Sequence, residues 1–182
     1  MSFADFQAQA RVDATDEQEQ VELYIAASRL QAENDCRRAF ITQTFALTLD
    51  GFPRCGEVLY LPRNPVQEVS GITYLDANGD QQTLATTVYQ VDTSSLVARV
   101  GLKHGKSWPT IQCGTWNAVT ITFVAGYGSQ AADVPAGLRA AIAMLAAHWF
   151  EHREPIVVGA IVAKIPFHFE RVLMQYKIPE AT

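Results

Sequence analysis

Residues 40–49 read FITQTFALTL, and the spacing of their apolar side chains decides what kind of fold this chain can have. Ile41, Phe45, Leu47 and Leu49 fall on one side of an extended strand, because successive strand side chains point to opposite faces. The stretch before it has another period. In DATDEQEQVELYIAASRLQAENDCRR (13–38), Val21, Tyr24, Ile25, Ser28 and Ala32 recur every three or four residues, the repeat of one helix face. Thr15 and Gln18 have the spacing of a capping box, and acids crowd the first turn, where the helix dipole favours them. The reading is a helix over about 16–36 that gives way to a strand.

Strand spacing continues downstream. EVLYLP (57–62), VSGITYLD (69–76), TTVYQVD (86–92), ARVGL (98–102) and AVTITFVAG (118–126) are short apolar runs bounded by turn residues. Asn78-Gly79 predicts a hairpin turn, since both residues tolerate positive φ. Six or seven strands fit between about 40 and 126. After GYGSQAADVP (126–135) the helical period returns, with Asp133 as cap and Pro135 in the first turn. Leu138, Ile142, Leu145 and Trp149 form one stripe of a helix over about 134–153, which Glu154-Pro155 closes. An apolar, proline-bounded IVVGAIVAKIP (156–166) leads to FHFERVLMQYKIP (167–179). There Phe169, Val172, Leu173 and Tyr176 share a face of a helix over about 167–177, and Pro179 stops it. Helices at the two ends and strands between them predict an α+β fold with a small antiparallel β region. The expected organisation is one domain over 1–182, with a β-rich subdomain at 40–128 and a C-terminal arm at 155–182. The arm can be the last core helix or a helix that docks in a partner's groove, and the pattern does not separate the two.

Composition narrows the function classes. The chain has 182 residues, 48% of them apolar and 18% charged, so it can build a core. Its net charge of −5 is uneven: residues 1–35 carry eight acids against Arg11 and Arg29, a local balance of −6. An acidic chain without a basic stripe is poorly suited to gripping phosphates, although it could surround DNA without holding it. Three scattered cysteines, Cys36, Cys55 and Cys113, make no C-x-x-C pair and read as reduced thiols of a cytoplasmic product. The first residues, MSFADFQAQA, lack the pattern of a signal peptide, and no apolar run is long enough to span a bilayer.

Three short motifs suggest chemistry. AHWFEHRE (147–154) contains His148, Glu151 and His152 in the H-x-x-E-H order of inverted zinc proteases. Two histidines four apart share a helix face, but zinc catalysis also needs a third ligand and a water-filled cleft, for which few downstream acids remain. Two histidines flanking a core seam near a helix end account for the same residues. GLKHGKS (101–107) is one residue short of a phosphate loop and is followed by Trp108-Pro109 instead of a helix. AGYGS (125–129) matches a potassium filter in letters only and reads as a glycine-permitted turn. No nucleophile elbow and no activated cysteine setting is present. No catalytic residue, metal ligand or cofactor is assigned.

The order of the segments resembles a family, the head–tail connector (head-completion or adaptor) proteins of long-tailed phages and gene transfer agents. The resemblance runs over about 13–178. It rests on the acidic first helix, then RRAFITQTFALTLDGFP, LYLPRNPVQEVSGITYLDANGD and VYQVDTSSLVARV. Its most specific block is VTITFVAGYGSQAADVPAGLRAAIAMLAAHWFEHRE, and it ends with IPFHFERVLMQYKI. In that family the HWFEHRE stretch is a structural helix end, although His152 departs from the amide more usual there. The resemblance implies a non-enzymatic virion protein of the portal vertex, assembled in the host bacterial cytoplasm. It implies a homo-oligomeric ring of about twelve copies beneath the portal protein, with head-to-tail contacts between copies. The ring would extend the DNA channel without binding DNA specifically and would offer a site to a stopper, tail-completion protein or tail, with no membrane involved. The C-terminal segment is similar to the arm that packs onto the portal, which makes Phe167, Phe169, Val172, Leu173, Tyr176 and Ile178 docking candidates. Asp16, Glu17, Glu19 and Glu22 are then candidates to face the channel, where like charge lets DNA slide. The alternatives are a neighbouring tail-completion protein of the same particle, or a zinc-dependent hydrolase using His148, Glu151 and His152.

Overall fold

A computed structural model describes residue 6 and residues 17–54, 56–112, 114–151 and 167–179. The fold is α+β; among the described residues it has three helices of eight or more residues and two antiparallel sheets. The chain divides into two compact units, one of residues 1–37 with 130–177, the other of 38–129 with 178–182.

The first unit is helical. Helix α1 spans Gln18–Cys36, with Glu17 as a cap residue that makes no side-chain cap hydrogen bond; Thr15 and Asp16 lie outside the described residues. The predicted inner face holds, since Val21, Ser28 and Ala32 are buried. The Ser28 hydroxyl is satisfied by the Tyr24 carbonyl one turn back. The helix ends at Arg37, whose left-handed φ of 56° lets its N–H reach the Asn34 and Glu33 carbonyls. Helix α2 spans Ala136–Glu151 and starts two residues later than expected. Asp133 caps a separate 3-10 turn, Ala131–Asp133, by accepting the Gln130 N–H at 2.9 Å. Leu138, Ile142 and Leu145 are buried as the stripe predicted, and Trp149 meets Tyr24 of α1 edge-to-face. Residues 152–155 lie outside the described residues. Helix α3, Phe167–Met174, is shorter than expected because Gln175 and Tyr176 form a turn. Phe6, Val21 and Ala146 form a second small core in this unit, with Phe150 edge-on to Phe6.

Among the described residues the second unit has seven strands: β1 Gln43–Leu49, β2 Leu59–Tyr60, β3 Val66–Leu75, β4 Gln81–Thr83, β5 Tyr89–Asp92, β6 Arg99–Leu102 and β7 Val119–Ala125. One sheet has the order β1-β7-β3-β4 and the other β2-β6-β5. Strand β7 is central, pairs with β1 in unbroken register, and buries Val119, Ile121, Phe123 and Ala125. Phe45, Leu47 and Leu49 pack against that core from β1. The β3–β4 hairpin differs in detail from the expected turn. Only Gly79 has positive φ; Asn78 does not. The turn is tied instead by Asp76, whose carboxylate accepts the N–H groups of Asn78 and Asp80 and the Gln82 amide. Those hydrogen bonds, that of Asn78 foremost, hold the Asp76 pKa below its ordinary value.

Asn64 is the polar knot of this unit. Buried in the chain, it donates its amide to the Leu61 carbonyl at 2.9 Å and accepts the Ala98 N–H at 2.8 Å. Its own carbonyl accepts the Ala39 N–H at 3.1 Å. Asn64→Ala is expected to leave the Leu61 carbonyl and Ala98 N–H short of a partner and to cost about 2 kcal/mol, read by denaturant unfolding. Asn64→Asp should cost a comparable amount, because a carboxylate cannot donate to Leu61.

Candidate assembly surfaces

Among the described residues, no three His, Cys, Asp or Glu side chains are grouped so as to hold a metal. His148 and Glu151 lie in the last turn of α2, and His152 lies outside the described residues. No helix among the described residues is long and apolar enough to cross a membrane.

The first surface is the outer side of α1. Glu19 and Glu22 are exposed there and Glu17 is half-buried. Leu23 and Leu30 are exposed too, at 65% and 57%. At about 100° per residue, Glu19, Leu23 and Leu30 all project roughly opposite the buried Val21, and Glu22 projects to one flank. The helix thus has an apolar strip on its free side as well as its core side. The sequence carries the signal, a seven-residue spacing of Leu23 and Leu30 with Ala26 and Ala27 between.

The second surface is the C-terminal helix. Phe169 and Leu173 are buried, and Val172 and Tyr176 are half-buried. They are used within the helical unit: α3 packs on α2 and α1, the Tyr176 ring lies against Gly137, and the Cys36 thiol meets the Leu173 carbonyl at 3.7 Å. Ile178 is buried and belongs to the β unit. The Phe167 side chain lies outside the described residues. The outward side of α3 presents Glu170 and Met174, which with Lys177 beyond the helix end, Asp35 and Leu173 line a hollow of about 230 Å³.

The third surface is the outer face of the β2-β6-β5 sheet. Asp92, at the end of β5, is its organising group. The Ser94 and Ser95 hydroxyls donate to its carboxylate at 2.7 Å, the Ser94 N–H at 3.0 Å, and Arg99 Nε at 3.0 Å. The Ser94 hydroxyl, then the Ser95 hydroxyl, draws the Asp92 pKa far below the ordinary carboxylate range. A depressed folded-state pKa adds stability that is complete above the unfolded value of about 4 and is lost as the pH falls towards the folded value. Asp92→Asn is therefore expected to flatten the part of the acid transition that lies below about pH 4. Thermal midpoints of the two proteins at stepped pH check this.

With these surfaces described, the chain can be set beside known proteins. No protein-family model matches it, and no curated protein matches it either. Solved structures do. It superposes on a chain in the neck of an empty gene transfer agent particle, solved with six-fold symmetry, with a TM-score of 0.81 and 24% identity. The match covers 100% of this chain and 91% of that one. The fold is that of gene transfer agent neck chains. A second match, in the virion of the native particle, has a TM-score of 0.80 at 24% identity, again over 100% and 91% of the two chains. A third, in the native neck solved with twelve-fold symmetry, has a TM-score of 0.75 and 26% identity over 97% and 90%. The neck fold thus takes in helices and sheets alike, and agrees with the connector resemblance read from the order of the segments.

Proposed function

We propose that this chain is a structural protein of the neck of a phage-like particle, acting in many copies as a ring at the portal vertex. The observation that carries the reading is the match of nearly the whole fold to chains in necks of six-fold and twelve-fold description. A piece of fold could be shared by chance of architecture, whereas both the helical and the β unit are shared here. In this reading the protein is an adaptor: it sits beneath the portal, extends the DNA channel, and offers its far side to a stopper or the tail. Catalysis plays no part, and the virion is its place of action.

The acidic helix fits a channel that passes DNA without gripping it, because exposed Glu19 and Glu22 repel phosphates. A ring structure with α1 facing outward would refute that placement. The docking proposal for the C-terminal segment takes a more specific form. Phe169 and Leu173 serve the chain's own core, so the outward residues Glu170, Met174 and Lys177 are the ones free to meet a portal while α3 stays in place.

Electron microscopy of the cognate portal mixed with this protein tests the function. A second ring stacked on the portal is the expected image. Removing the segment after Pro166 would confound the experiment, because it deletes buried Phe169 and Leu173 together with any docking surface. Met174→Glu, at a side chain 71% exposed, is the cleaner variant and should weaken stacking while the protein stays folded. Bare portals with the unmodified protein would sink the adaptor reading. A ring on tail tubes instead would favour the neighbouring tail-completion role, and stoichiometric zinc in the purified protein would favour the hydrolase.

A further inference from the structure

Two features of the β unit complement each other. The first is a dent. Val100 of β6 is buried in the core, and by strand alternation its neighbours Arg99 and Gly101 face the other side of the β2-β6-β5 sheet, where Arg99 is exposed and Gly101 is covered. Gly101 puts no side chain there; an added Cβ would meet Val58 Cγ1 at 3.3 Å. Beside it lies a hollow of about 380 Å³ lined by Val58, Gln90, Val91, Asp92, Arg99 and Gly101. Arg99 stands at its edge, fixed by the Asp92 carboxylate with its side chain still 48% exposed. The lining is mixed, with Val58 and Val91 beside Gln90 and Asp92, and the edge carries a guanidinium held by a carboxylate.

The second feature is a knob. Trp116 is 82% exposed, the most exposed large apolar side chain among the described residues. It is not on a loose strand of chain. Gly114 and Asn117 on either side adopt left-handed φ of 76° and 55°. The Asn117 N–H donates to the Asp50 carboxylate at 2.9 Å, and the Thr115 hydroxyl donates to Gln112 Oε1 at 3.0 Å. The turn is built to hold an indole out in water, where it gains nothing for this chain's own stability.

We infer that Trp116 of one copy seats in the Gly101 hollow of the next copy, resting on this chain's working as many copies in a neck. The fit is chemical as well as spatial. A hollow of about 380 Å³ lies within the range that admits one compact apolar group. An aromatic side chain of this size buries about 150–250 Å². Its ring face attracts the fixed Arg99 guanidinium, a cation–π contact that an aliphatic knob would lack. A preorganised Trp entering a pocket is the type of contact that dominates binding energy at interfaces. Knob and hollow occupy different places on one chain, so their contact is heterologous and repeats head to tail, closing into a ring when the rotation allows.

The test uses the full-length protein assembled on its cognate portal. Trp116 is replaced by the photo-cross-linking aromatic benzoylphenylalanine, and the sample is irradiated and digested. Cross-links are expected to join position 116 to residues 86–103 or 56–60 of a second copy. Trp116→Ala and Gln90→Phe, the latter adding bulk to the wall of the hollow at an exposed position, should each cut ring yield at least tenfold with the thermal midpoint of the free protein within a few degrees of the parent. A cross-link from position 116 to the portal or to another region of the chain would overturn the inference. So would a full yield of rings from Trp116→Ala, which leaves the neck reading standing. If the unmodified protein builds no ring on the portal, the neck reading itself fails, and the seating of Trp116 with it.

Discussion

Gly126→Ala is expected to be the most damaging single methyl that can be added to the β unit. Gly126 leaves β7 with φ of 140°, a conformation that side chains on L residues rarely adopt. An added Cβ would stand 2.5 Å from the Thr42 N and 2.6 Å from the Ile41 carbonyl carbon and Thr42 Cα. These are backbone atoms, so no rotamer change relieves the clash. The neighbouring hydrogen bonds leave little slack. The Gly126 N–H donates to the Pro65 carbonyl at 2.9 Å, and its carbonyl accepts the Gln67 amide at 2.8 Å. Thr42 N–H is itself held by the Gly128 carbonyl at 2.9 Å. Backbone strain and overpacking together should cost about 4 kcal/mol. For a domain of ordinary stability, 5–15 kcal/mol, that is a large fraction of the whole. Urea unfolding followed by circular dichroism measures it. A loss below about 1 kcal/mol would mean the segment moves aside and the close approach at Thr42 is dispensable.

Phe169→Ala is expected to destabilise the helical unit by about 3–5 kcal/mol, the usual consequence of emptying a fully buried aromatic site. The side chain is 1% exposed and sits on α3 where that helix packs against α2 and α1. The result also decides between the two uses of the C-terminal segment that the sequence left open. A helix that serves the core loses stability in the free protein when Phe169 is cut back. An arm that exists only to dock on a portal loses nothing until the portal is added. Unfolding of the free variant, compared with its binding to portal rings, separates the two, and Met174→Glu should show the reverse pattern. A free variant as stable as the parent would return Phe169 to the docking candidates.

Much of the fold was legible because period is a local property. The inner face of α1, the stripe of α2 and the alternation in β1 and β7 each need only a few neighbouring residues to be read. Turn chemistry was legible in type but not in detail. Asn78-Gly79 marked the hairpin, yet the anchor is Asp76, which acts through hydrogen bonds to residues two, four and six positions on. The 3-10 turn at Ala131–Asp133 likewise took the acid expected to cap α2. Helix ends depend on which backbone groups find partners, and several choices lie close in energy.

The surfaces were less legible, for a different reason. Phe169, Leu173 and Leu23 are all apolar residues at helical spacing, and nothing in the spacing says which face meets a core. The structure turns Phe169 and Leu173 inward and leaves Leu23 and Leu30 outward. Trp116 and Gly101 carried no periodic signal at all. The hollow exists because β2, β5 and β6 bring Val58, Gln90 and Arg99 together from distant parts of the sequence.

The amino-acid sequence by itself determined the order and kind of the elements, the uneven acidity, and a resemblance whose fold the structure bears out. Those rest on near-neighbour physics: periodicity, capping and charge density along the chain. Only the tertiary structure decided which apolar faces are consumed within the chain and which stay free to meet a partner. Burial is a property of three-dimensional neighbours, and residues far apart in sequence, such as Cys36 and Leu173 or Asn64 and Ala98, settle it together.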